Sequence, residues 1–73
     1  MAKYLTAIVE RDGEGYVALC PEVDVASQGQ SVAEARNNLA EAVALFFDTA
    51  SDEEINRRMC EEVYVTQIEV AVA

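Results

Sequence analysis

Three observations predict an α+β fold for this chain: apolar and polar residues alternate with period two near both ends, a hairpin turn and a proline divide the first alternating region into short strands, and two helix-start motifs lie between the alternating regions. The expected order is a three-stranded antiparallel meander, one long helix packed on the sheet, a short second helix and a final strand. At 73 residues the chain is read as a single domain, 1–73. A chain of that size buries only ~60% of the surface it exposes when unfolded.

From Tyr4 to Glu10 the residues alternate, with Leu5, Ala7 and Val9 opposite Tyr4, Thr6, Ile8 and Glu10, which predicts the first strand. Asp12-Gly13 supplies the positive φ of a tight hairpin, and Gly15 eases the return. The β-branched, aromatic and apolar run Tyr16 to Cys20 predicts the second strand. Pro21 cannot donate to a ladder and ends it. Val23 to Gln28 then predicts a third strand with Glu22 and Asp24 toward solvent or a partner.

Ser31-Val32-Ala33-Glu34 reads as a capping box, in which the Ser31 hydroxyl accepts from the Glu34 N–H and the Glu34 carboxylate reaches back to the N–H of Ser31. Val32, Ala35, Leu39, Ala42, Val43 and Phe46 recur at three- and four-residue steps behind it, which predicts an apolar stripe lying across the sheet. Ser51-Asp52-Glu53-Glu54 is a second capping box, for a short helix to about Met59 with Arg57 and Arg58 at its cation-favouring end. Glu61 to Ala73 alternates again and is expected to be a long final strand beside the first, leaving a sheet edge open to another chain. A homo-oligomer, dimer or tetramer, is therefore expected.

Fourteen acidic and five basic residues give a net charge of −9. Such a field repels phosphate backbones and removes the counterion-release term that drives most nucleic-acid binding, so no direct nucleic-acid contact is expected. It favours encounter with a basic protein, although the same charge also serves solubility alone. No window approaches the roughly 18 apolar residues of a membrane span. The first residues enter a strand pattern without the layout of a secretion signal, so a cytoplasmic location is expected.

The residue inventory argues against an enzyme. There is no histidine, and Lys3 is the only lysine, so Ser31, Ser51, Cys20 and Cys60 lack the usual bases that activate a nucleophile. The two cysteines are forty residues apart, outside any metal or redox spacing, and read as reduced, packed thiols. Glu10, Asp12 and Glu14 cluster at a turn while Glu22 and Asp24 alternate on a strand, a poor layout for a magnesium-dependent nuclease. Neither a metal nor a cofactor is expected, and no catalytic residue is assigned.

Taken together, Tyr4, Ile8-Val9-Glu10, Asp12, Gly15-Tyr16-Val17-Ala18 and Cys20-Pro21-Glu22, followed by Gly29, Ser31, Glu34-Ala35, Asn38-Leu39 and Glu41-Ala42, resemble the N-terminal domain of HicB antitoxins over about residues 3 to 47. The resemblance implies a β-β-β-α-β, partial RNase H-like fold without catalytic carboxylates. It also implies a partner, the small basic ribonuclease toxin HicA, whose RNA-binding and catalytic surface the domain masks. Many members of that family carry a further DNA-binding domain, which the present 73 residues do not include. Charge and expected exposure, rather than the family motif, select Glu22, Asp24, Glu34, Glu41, Leu45 and Asp48 as the candidate partner-binding residues. The alternative is a stand-alone oligomeric regulatory or scaffold protein of the same type with no toxin partner.

Overall fold

The computed structural model describes residues 3–73. Its elements follow the order β1 (Ile8–Asp12), β2 (Gly15–Cys20), β3 (Val25–Gly29), α1 (Val32–Thr49) and α2 (Asp52–Arg58). The three strands form one antiparallel sheet in sequence order, which with the two helices makes an α+β architecture.

The first hairpin is closed by Gly13 and Glu14 between the paired residues Asp12 and Gly15. Gly13 takes a φ of +61°, the left-handed conformation that the first position of a II′-class hairpin requires and that a side chain would strain. β1 begins at Ile8 rather than at Tyr4 because β2 stops at Cys20, whose chain then turns through Pro21–Asp24 into β3. Residues 3–7 therefore face no strand. The third strand likewise starts later than its alternation suggests, since Val23 is drawn fully into the core and Asp24 turns the loop with a φ of +55°.

The core consists of Ala18, Cys20 and Val23 from the sheet side and Ala35 and Leu39 from α1, with Leu5, Val9, Tyr16, Val25, Val43, Phe46, Phe47 and Met59 packed against it. A Cβ on Gly29 would lie 2.5 Å from the Ala35 backbone nitrogen, so the absence of a side chain at position 29 sets the depth at which α1 sits. The helix stripe is nearly as expected: Ala35 and Leu39 are buried, Ala42, Val43 and Phe46 are partly so, and Val32 remains half exposed. Phe47 joins the stripe, meeting Phe46 edge to face at 5.5 Å.

Both helix starts match their motifs. The Ser31 and Ser51 hydroxyls accept from the N–H groups of Glu34 and Glu54, each at 3.1 Å. The reciprocal arm of the first box differs, because the Glu34 carboxylate accepts from the Gln30 N–H and not from that of Ser31. α2 is stitched by the Arg57–Glu54 and Arg58–Glu54 ion pairs, and the Arg58 guanidinium also lies over the Phe46 ring and donates to the Asp24 carbonyl at 2.7 Å.

The segment after α2 departs from expectation. Cys60 donates its N–H to the Glu22 carbonyl at 2.8 Å, and beyond it residues 61–73 pair with no strand among the described residues. The alternating pattern is present in the sequence, but a strand exists only where a neighbour completes its hydrogen bonds, and among the described residues none lies beside this segment.

Candidate protein-binding surface

α1 carries most of the candidate residues. Glu34, Glu41, Leu45 and Asp48 are spaced seven, four and three residues apart, so they stack along one helical face in a stripe of about 21 Å at 1.5 Å per residue. All four are exposed, and Leu45, 61% exposed, is the apolar member among three carboxylates. The stripe points away from the core because Ala35, Leu39 and Phe46 occupy the other side of the helix.

Asp24 is exposed as expected, in the loop held by Arg58 near the C-terminal end of α1. Arg58 meets α1 at Phe46, on the core side of the helix and not on the stripe. Glu34, at the other end, is partly occupied by its capping bond to Gln30.

Glu22 does not belong to this surface. Its residue is only 7% exposed, and its carboxylate is turned inward. It accepts from the Thr6 N–H at 2.9 and 3.1 Å and from the Thr6 hydroxyl at 2.7 Å, with the Cys20 thiol 3.5 Å away. The cause is local: Pro21–Asp24 is a loop and not the start of an alternating strand, so the turn directs the Glu22 side chain to Thr6. Burial pushes the Glu22 pKa up, but the hydrogen bonds from the Thr6 hydroxyl, from the Glu22 and Thr6 backbone N–H groups and from the Cys20 thiol outweigh it, leaving the carboxyl below its ordinary value. The same burial pushes the Cys20 thiol up, with the neighbouring carboxylate adding to the shift, so Cys20 stays protonated and unreactive.

A second concave feature lies on the other flank of α1. Leu5, Thr6 and Ala7 on one side and Leu39, Ala40, Val43, Ala44 and Phe47 on the other line an open groove of about 650 Å³, with Lys3 and Arg36 also contributing. The sequence signal for it was the four- and three-residue spacing of Ala40, Ala44 and Phe47, which continues the apolar stripe around the helix past the width that the sheet covers. A smaller depression near the hairpin, lined by Asp12, Tyr16, Gln28, Gln30 and Glu34, is polar.

Among the described residues no group of three or more Cys, Asp or Glu side chains converges as a metal site would. Both cysteines are free thiols. Among the described residues no helix is long and apolar enough to cross a membrane. Comparison with family models, with curated proteins and with solved structures returned no match to this chain.

Proposed function

We propose that this chain is a non-enzymatic protein-binding module of the HicB antitoxin kind, which neutralises a small basic HicA-like ribonuclease by covering its RNA-binding and catalytic surface. The observation that carries the reading is the stripe of Glu34, Glu41 and Asp48 with Leu45 among them, with the exposed Asp24 as a further carboxylate. A carboxylate row attracts the cationic surface with which a ribonuclease holds RNA, and an exposed leucine within that row gives a desolvated anchor. The net charge of −9 speeds encounter with such a partner and slows it with nucleic acid. In this reading the fold is the partial RNase H-like plan, and residues 61–73 are its fourth strand awaiting a neighbour.

The test is an RNA-cleavage assay with a purified basic HicA-like ribonuclease. Saturating amounts of this chain are expected to stop cleavage, and Leu45→Asp combined with Glu41→Lys to restore it; undiminished cleavage at saturation rejects the reading. The alternative, a stand-alone oligomeric regulatory or scaffold protein, draws on a separate observation, the apolar side chains exposed along residues 64–72. It predicts self-association without any inhibition of the ribonuclease.

A further inference from the structure

We propose that residues 63–72 of one chain lie as a fourth strand in the groove between residues 3–7 and α1 of a second copy, and that the exchange is reciprocal. Two unsatisfied features of one molecule fit each other. The segment alternates Tyr64, Ile68, Val70 and Val72 on one side, exposed by 80, 83, 65 and 90%. Apolar side chains in such a row are costly to leave in water, at roughly 25 cal/mol per Å². The segment also draws the molecule out to a longest dimension of 48 Å and a radius of gyration of 14.2 Å, where a closed domain of this length has about 11 Å.

The receiving side is incomplete in the complementary way. β1 is an edge strand, paired only with β2, and residues 3–7 before it meet no strand among the described residues. Above that edge α1 overhangs, presenting Ala40, Ala44 and Phe47 across the groove from Leu5. Ala40 and Ala44 are exposed and small, leaving the depth that a strand's larger side chains fill. A strand added here gains backbone hydrogen bonds from the edge and apolar cover from the helix, the usual pattern of strand addition.

The charge bordering the groove is opposite to that of the segment. Residues 61–73 contain Glu61, Glu62 and Glu69 and no cation, and the groove is bordered by Lys3 and Arg36, neither in an ion pair among the described residues. The segment leaves its own groove empty: beyond Cys60, whose N–H donates to the Glu22 carbonyl, residues 64–73 are exposed and pair with no strand among the described residues. A second copy supplies what is missing.

Sedimentation of the full chain over a range of micromolar concentrations, with an equimolar mixture of isotope-labelled and unlabelled chains examined by isotope-filtered NMR, tests the exchange. A dimer is expected, with intermolecular cross-peaks from the Ile68 and Val70 methyls to Ala44 and Phe47. Ile68→Asp with Val70→Asp on the tail, or Ala44→Asp in the groove, should weaken the dimer on the order of 100-fold, whereas Asn56→Asp on the exposed side of α2 should not. These variants change exposed positions, so circular dichroism should show an intact fold. A chain that stays monomeric throughout, a dimer lacking those cross-peaks, or the same cross-peaks arising only within one chain overturns the proposal. Only this chain is in the sample, so the result is independent of whether a ribonuclease binds.

Discussion

The Glu22 carboxylate accepts two hydrogen bonds from a single residue, Thr6, at 2.9 Å from its N–H and 2.7 Å from its hydroxyl, while the Glu22 carbonyl accepts from Cys60 at 2.8 Å. One residue of the β2–β3 loop therefore fastens both the segment before β1 and the root of the C-terminal segment. One side of the groove described above, residues 3–7, is held by this clasp. A buried carboxylate without a cation is tolerated here because donors from Thr6 and Cys20 satisfy it.

Thr6→Val and Glu22→Gln should each destabilise the fold by about 1–3 kcal/mol, the range for a lost hydrogen bond to a buried charged group. Urea unfolding followed by circular dichroism measures this. The double variant should cost less than the sum of the two, since both remove the same interaction.

The clasp also sets a pH dependence. Because the Glu22 carboxyl is held below its ordinary value of 4.5 in the folded chain, the unfolded chain binds the proton first as pH falls. The contribution is complete above pH 4.5 and is lost as pH drops through the folded value. Stability curves of the parent and of Glu22→Gln should converge in acid and separate toward neutrality. Parallel curves across that window would remove the electrostatic role assigned to Glu22.

Cys20 and Cys60 should differ sharply toward a thiol reagent. Cys20 is buried beside the Glu22 carboxylate and its pKa is raised first by that burial, whereas Cys60 is exposed. One thiol per chain is expected to react in native conditions and two after unfolding. Mass spectrometry of the labelled protein should place the native label on Cys60.

Gly29→Ala should cost about 1–3 kcal/mol, because its Cβ meets the backbone of Glu34 and Ala35, which no side-chain rotation can relieve. Gly13→Ala should cost about 1–2 kcal/mol for a different reason, the φ of +61° in otherwise open space. An asparagine, which tolerates that conformation, should recover part of the loss at position 13 and none at position 29.

Local patterns carried most of the architecture. The Asp-Gly turn, the β-branched second strand and the two serine caps are short-range signals, and each produced its element within a few residues of the expected bounds. Less legible were the features that depend on a neighbour. β1 starts four residues later than its alternation because β2 ends at Cys20, and the alternating residues 61–73 have no ladder partner within this chain. The candidate surface followed the same division: helical spacing placed Glu34, Glu41, Leu45 and Asp48 correctly on one face, and Asp24 is exposed as expected. Glu22 was misplaced because a loop, whose side-chain directions alternation does not describe, replaced the start of a strand.

Inhibition of a basic HicA-like ribonuclease, titrated with this chain at two ionic strengths, tests the central claim most directly. Cleavage of RNA should fall to zero at a fixed stoichiometry, association should slow at higher salt, and Leu45→Asp with Glu41→Lys should abolish inhibition while leaving the fold intact. Full cleavage in the presence of excess chain, or inhibition unaffected by those substitutions, would contradict the assignment of the acidic α1 face as the binding surface.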